Sequence, residues 1–470
     1  MSEHILDSDM RGIAAALRDG TTTSEALMEE AVRRHETFGA GLNAYKYWDA
    51  DRARTEARAV DGLLASGYDA GALMGMPISL KDLYGVHGMP TFGGSPEELP
   101  AKWREEGPVT EALRLARGVV TGKTHTVEFA YGGVGTNSHW GAPVNPWDAE
   151  NHRVTGGSSS GSGVSLCEGS ALVAMGTDTG GSVRIPASVT GNVGLKITID
   201  RWSVEGIVPL SANYDTPGPL TRNVTDSILA FGAIDPAHRN AEAFFQRTDG
   251  GEVSDFNFAL CDEHFWDRCG PGVVEGVRQA IDELSAKGAR IGSVSLPEAT
   301  LARESSLRGG IFGAEGLSFI EEHYPERLET LDPNVGERFD AGRDITAIEF
   351  LKAIRHIAGL ARIANDKLRH VDVLMTPTVP VAPPTVEEVS DSDTYKHHLG
   401  HMTQNSHPVN LLGLCAITIP VALDSAGMPV GLQLIAGAGR EERLLAVALA
   451  CEKVLGTARQ RLGTPPRCRA

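Results

Sequence analysis

The chain has 470 residues, with 43 Lys and Arg against 61 Asp and Glu and a net charge of −18 at pH 7; that balance argues against nucleic acid or an anionic membrane as a main partner, because both need a basic face. No stretch approaches the roughly 18 unbroken apolar residues of a membrane span, and Met1-Ser2-Glu3-His4 lacks the basic start and apolar run of a signal peptide, so cytoplasmic residence is expected. The six cysteines, Cys167, Cys261, Cys269, Cys415, Cys451 and Cys468, include no C-x-x-C pair, which speaks against a disulfide frame or a zinc site and leaves them as small buried apolar residues.

Residues 1–66 read as a helical layer. Thr22-x-x-Glu25 suggests a capping box, Ala26, Leu27, Ala31 and Val32 recur near helical spacing, and residues 49–64 form a second helix rich in Ala and Arg. The strand signal starts near Leu73. Met76 to Asp82 alternates apolar and polar residues, predicting a strand that ends at Lys81, and Val119-Val120 predicts a short strand beside Gly122 and Lys123. Ser162 to Glu168 suits a short helix, Ala171 to Met175 a buried strand, and Val183 onward another helix after a Gly-Gly turn; this order is that of an α/β protein. Between 235 and 350 Glu and Arg rise and helical periodicity returns, as in Val273 to Leu284. Val371 to Met375, Ala416 to Val421 and Gly431 to Ile435 predict further strands, and Glu441 to Val454 a closing helix. No repeat or low-complexity linker divides the chain, so one domain over 1–470 is expected. It would comprise the layer 1–66, a core over 70–230, a helical cover over 235–350 and the rest of the core sheet over 370–470.

Two loops rich in Gly and Ser carry the chemistry. The first is Gly156-Gly157-Ser158-Ser159-Ser160-Gly161-Ser162 and the second runs from Gly176 through Thr177-Asp178-Thr179-Gly180-Gly181-Ser182 to Pro186. Such loops gather hydroxyls and bare backbone N–H groups, which acyl transfer requires as nucleophile, proton relay and oxyanion site. The glycines before Ser182 allow successive N–H groups to point one way; taken alone, the stretch reads as an ordinary glycine turn into a helix. Gly157 to Gly161 matches G-x-S-x-G with Ser159 as nucleophile, but that elbow needs an apolar strand before it, and residues 145–153 are not one. No Gly-Lys-Ser/Thr ending makes a P-loop. Lys81, taken alone, reads as a solvated strand-end lysine; a buried one would lose proton affinity and serve as a base near neutral pH. His397, His398, His401 and His407 read as a solvated polar loop, since the i, i+4 pair His397 and His401 lacks the Glu of H-E-x-x-H. A Ser-His-Asp triad is not excluded by spacing, but no His falls in a motif that supports one.

Together these residues resemble the amidase signature family. The match is densest over Met76–Asp82 and Glu128–Thr225 and reappears over Val371–Ala436. It includes Gly156-Gly157-Ser158-Ser159, the run Gly176 to Ala187, Gly194-Leu195-Lys196 and Asp215-Thr216-Pro217-Gly218-Pro219-Leu220. The resemblance implies an α/β amidase-signature fold, a large mixed twisted sheet covered by helices on both faces. It implies Lys81 as base, Ser158 as a relay serine on a cis peptide and Ser182 as nucleophile; the 24-residue step between the two serines agrees with the family's spacing. It places the oxyanion donors on the backbone N–H groups of Thr179, Gly180, Gly181 and Ser182, and an acyl pocket at Ala130-Tyr131-Gly132. Asp178 and Arg184 would support the nucleophile loop, the alternative being an unrelated surface ion pair. The implied activity is hydrolysis of a small-molecule amide, carbamoyl compound or hydrazide to an acid plus ammonia or amine, through an acyl-enzyme and without metal or organic cofactor. Family enzymes are often homodimers.

Three alternatives share the motifs: the glutaminase subunit of a tRNA-dependent amidotransferase, an esterase, and a catalytically silent binding protein. Against the first, residues 338–368 contain no Tyr, where that subunit carries a Tyr-rich helical segment. The chain departs from the family pattern at Ser160-Gly161-Ser162, Ile197 and Cys415, none of which removes a catalytic group. Specificity is expected in 235–350, in 390–410 and around Tyr131.

Overall fold

Eleven strands join in one mixed sheet in the computed structural model, which describes residues 5–238 and 240–469. In chain order they are β1 (Tyr45–Trp48), β2 (Pro77–Lys81), β3 (Val119–Thr124), β4 (Val173–Thr177), β5 (Val193–Lys196), β6 (Pro217–Thr221), β7 (Asn257–Leu260), β8 (Arg290–Ser293), β9 (Val373–Pro377), β10 (Cys415–Leu423) and β11 (Pro429–Ala436). Their order across the sheet is β1-β3-β2-β4-β6-β5-β10-β11-β9-β7-β8. β2 runs parallel to both β3 and β4, so Lys81 and Thr177 finish neighbouring strands at the same end. The centre from β4 to β9 is antiparallel, and β9, β7 and β8 are again parallel.

Every residue of β2, β3, β4, β5, β6, β9 and β11 is buried. A strand buried along its whole length has cover on both faces, which the alternating pattern of Met76 to Asp82 does not foretell. The helix Ser160–Glu168 packs on β2, β3, β4 and β6, and Glu441–Leu455 packs on β10 and β11.

The N-terminal layer holds the helices Met10–Asp19, Ser24–Leu42 and Ala50–Ala65, and also the edge strand β1. Met1 to His4, the basis of the signal-peptide reading, lie outside the described residues. The second helix is capped by Thr23, whose side chain accepts from Ala26 N–H at 3.0 Å, in place of the Thr22 box. The Asp61 carboxylate takes the N–H groups of Ser24 and Glu25 instead.

The region 235–350 is largely helical, with Val273–Ala286 the longest helix wholly within it, but it also supplies β7 and β8 to the sheet edge. Both are only four residues long. β6 reads Pro-Gly-Pro-Leu-Thr, a sequence whose prolines disguise a strand. The His segment is no loop: His397, His398 and His401 ride on the helix Ser392–Met402, and His407 opens the helix His407–Leu411 and is buried. All six cysteines are free; Cys261, Cys415 and Cys451 are buried, whereas Cys167, Cys269 and Cys468 are only half-buried. Among the described residues no helix is long and apolar enough to cross a membrane, and no cluster of three His, Cys, Asp or Glu could hold a metal ion.

Candidate active site

Lys81 ends β2 with no exposed surface. Its Nζ lies 2.7 Å from Ser158 Oγ and 2.7 Å from Thr177 Oγ1. Burial lowers its pKa from 10.5 to about 7, against the opposing pull of Asp215 and Asp178. A burial of this depth disfavours the ammonium form and leaves a large neutral fraction near pH 7. The side chain is therefore the buried lysine of the two readings open in the sequence, and Thr177 is a contact that no motif singles out.

Ser158 follows a cis Gly157–Ser158 peptide bond. Its carbonyl accepts from Val127 N–H and Thr126 Oγ1, both at 3.1 Å. The helix Ser160–Glu168 begins two residues on, with Ser159 as its N-cap. Ser159, the alternative nucleophile, is wholly buried, its Oγ 3.3 Å from Thr177 N and 3.4 Å from Thr177 O.

Ser182 lies between β4 and the helix Arg184–Val189. Its residue is 6% exposed, and that surface faces a cavity of ≈ 380 Å³. Among the described residues its hydroxyl has no hydrogen-bond partner, and Ser158 Oγ and Ser182 Oγ are not bonded to each other.

The Ser182 loop is shaped by Asp178. The Asp178 carboxylate accepts from the backbone N–H groups of Gly181 at 2.7 Å, Val183 at 3.2 Å and Arg184 at 3.3 Å. It also accepts from Asn410 Nδ2 at 2.9 Å and forms a buried ion pair with Arg184. Arg184 extends the network to Gln433 Oε1 at 2.6 Å and Ser406 O at 3.0 Å. Burial alone would raise the Asp178 pKa; the Arg184 charge and hydrogen bonds, helped by Lys196 and Asn410, reverse this and hold it at about 2. The pair is thus no surface contact, and Asn410 and Gln433 are supports that sequence reading missed.

Of the four expected oxyanion donors, Gly181 N–H already donates within the protein, to Asp178 Oδ1 at 2.7 Å. The N–H groups of Thr179, Gly180 and Ser182 have no protein partner among the described residues.

Ala130, Tyr131 and Gly132 line the same cavity as Ser182. Phe129 and Ala130 have φ of 45° and 59°, a region uncommon for residues with a Cβ and one in which sites often store strain. The Tyr131 ring stacks on Phe339, with centroids 4.9 Å apart. Further walls come from Leu210, from Arg303, Phe312 and Arg338 within 235–350, and from Lys396, Leu399 and His407 around 390–410.

Known proteins resemble the chain over nearly its whole length. A family model described as Amidase matches residues 26–445. The chain is 45% identical over 456 residues to a 2-amino-5-chloromuconic acid deaminase of Comamonas testosteroni, covering 96% of this chain and 97% of that one. It is 33% identical over 462 residues to a glutamyl-tRNA(Gln) amidotransferase subunit of Synechococcus sp. (strain RCC307), covering 92% and 94%. Its fold matches a crystal structure of an amidase with a TM-score of 0.83 at 33% identity, covering 96% of this chain and 100% of that one.

Proposed function

The chain belongs to the amidase family, enzymes that hydrolyse C–N bonds and here act on a small molecule, and from that premise we propose that Ser182 is the nucleophile, Ser158 the proton relay and Lys81 the base. The observation that carries this reading is the 2.7 Å contact between the buried Lys81 Nζ and Ser158 Oγ. Neutral Lys81 takes the Ser158 proton as Ser158 takes that of Ser182; apo hydrogen bonds of this kind tighten in the substrate complex. Ser182 Oγ attacks the carbonyl carbon. The N–H groups of Thr179, Gly180 and Ser182 hold the oxyanion. The relay returns a proton to the leaving nitrogen, which departs as ammonia or amine, and water then frees the acid from Ser182. Ser182→Ala is expected to abolish turnover and to remove the acyl adduct seen by mass spectrometry after rapid quenching. Retained turnover in that variant would refute the scheme.

A second reading concerns which C–N bond is broken, and the 45% identity to the muconic acid deaminase favours it. The imine tautomer of a 2-amino unsaturated diacid presents a trigonal carbon doubly bonded to nitrogen. Ser182 Oγ adds to the carbon of the protonated imine as the Ser182 proton passes through the relay to the nitrogen. Ammonia leaves as the Ser182 oxygen lone pair forms an oxocarbenium. Water adds to that carbon and gives a proton to the relay, and the C–O bond to Ser182 breaks, returning the serine hydroxyl as the keto acid forms. Ammonia release from 2-amino-5-chloromuconic acid, compared with release from a panel of simple amides, separates the two. Turnover of the amides alone would exclude the deaminase reading.

A further inference from the structure

We propose that Arg303 and Arg338 form an anion subsite in the Ser182 cavity that holds a carboxylate of the substrate, so that the enzyme selects carboxylate-bearing substrates over neutral amides. The inference rests on the reading of Ser182 as the reacting group. The cavity and the chain as a whole differ in charge. The chain carries a net −18, yet the charged residues lining this cavity are Arg303, Arg338 and Lys396, with no Asp or Glu among them. Lys396 is paired with Glu337. Neither arginine forms an ion pair with a carboxylate among the described residues.

Arg303 projects from the helix Glu298–Arg308. Its Nη2 donates to Gly400 O at 2.8 Å, and its Nε is buried without a partner. Burial works against its charge, and neighbouring Arg268 adds repulsion where relief would be expected. Arg338, on the helix Pro333–Arg343, donates from Nη1 to Tyr131 O at 2.6 Å and lies over the Tyr131 ring, 3.6 Å from its centroid. It therefore touches the residue that lines the acyl pocket.

His407 lies beside Gly180 of the nucleophile loop. Burial, followed by the charges of Arg303 and Arg338, lowers its pKa to about 3. The ring is neutral at physiological pH, and its environment is one in which a further positive charge is opposed and a negative one favoured. A partly buried cation without a counter-charge, such as Arg303 with its Nε shut off from water, is costly, and a ligand anion reduces that penalty. Guanidinium groups match a carboxylate in shape and bind it by paired N–H donors. Leu210, Ile311, Phe312 and Leu399 supply apolar wall for the carbon chain between carboxylate and scissile bond.

The probe is cis,cis-muconate, a diacid without nitrogen that cannot turn over, with its neutral dimethyl ester as control. Calorimetric titration of the full-length protein is expected to show muconate binding and little ester binding. Arg303→Gln is expected to weaken muconate by about 30-fold or more, with partial recovery in Arg303→Lys. Circular dichroism melting reports whether each variant folds, and Arg303→Lys against wild type serves as the comparison if Arg303→Gln does not. The subsite is overturned if wild type binds the ester as well as the dianion, or if folded Arg303→Gln binds muconate like wild type. Labelling of wild-type Ser182 by a neutral sulfonyl fluoride tests the nucleophile separately: labelling with no arginine-dependent muconate binding removes the subsite alone, whereas arginine-dependent binding without labelling upholds the subsite and removes the nucleophile.

Discussion

Arg184 and Asp178, both fully buried, meet through two hydrogen bonds, Nε to Oδ2 and Nη2 to Oδ1, each 3.0 Å long. The same carboxylate gathers three backbone N–H groups between Gly181 and Arg184. The ion pair therefore sets the backbone on which Ser182 is carried. Arg184→Met is expected to leave an uncompensated buried carboxylate and to cost about 3–5 kcal/mol in urea unfolding. Because folding depresses the Asp178 pKa from 3.8 to about 2, its contribution to stability is complete above pH 3.8. It is lost as the pH falls through about 2. Acid titration of the urea midpoint should show this loss in wild type, and Asp178→Asn should flatten it.

Lys81 sets the expected pH profile of catalysis. With a pKa near 7, the neutral base accumulates as the pH rises, so kcat/KM should climb through about pH 7 and level off above it. Lys81→Ala should lower kcat by about 10²–10⁴-fold and erase that limb. An unchanged limb in the variant would assign the titration to another group.

The three serines should separate cleanly. Ser182→Ala is expected to lose all acyl-enzyme, and Ser158→Ala to lose most of the rate while still binding substrate. Ser159→Ala should keep most activity, because its two hydrogen bonds are long, at 3.3 and 3.4 Å, and each is worth about 1 kcal/mol or less. Burst kinetics with a chromogenic acyl substrate reads all three.

Two neighbouring glycines should behave in opposite ways. Gly181 has φ +126°, and an added Cβ would sit 2.0 Å from Ser406 Oγ. Gly181→Ala should therefore melt well below wild type or fail to fold. At Gly180 the nearest atom to an added Cβ is Phe312 Cε2 at 3.5 Å, an ordinary contact. Gly180→Ala should fold with a melting temperature near wild type and act chiefly on KM, by narrowing the cavity.

Much of this site was legible in the chain because its chemistry sits in local motifs. The end of β2 at Lys81, the glycine turn before Ser182 and the helix after Ser158 all follow from residues within a few positions. The burial of Lys81 was not legible: alternation in Met76 to Asp82 implies one wet face, and only the parallel neighbours and packed helices remove it. β6 and β7 escaped notice for local reasons, the prolines of one and the four-residue length of the other. The walls of the cavity were readable only as regions. Arg303 and Arg338 stand on separate helices, Glu298–Arg308 and Pro333–Arg343, each of which packs on Ile311–His323. Gly181 shows a finer limit, since a donor assigned from its place in a motif is already taken by Asp178.

The burial of Lys81 makes dryness a control variable. The side chain can serve as the proposed base only while water is kept from the end of β2; wetted, its pKa returns toward 10.5 and it holds its proton at neutral pH. Sub-denaturing urea, a wall substitution that lets solvent past Tyr131, or a poorly fitting ligand that props the cavity open should each quench turnover while the sheet stays intact. In a melting experiment followed by both activity and circular dichroism, the enzyme would fall silent before it unfolds.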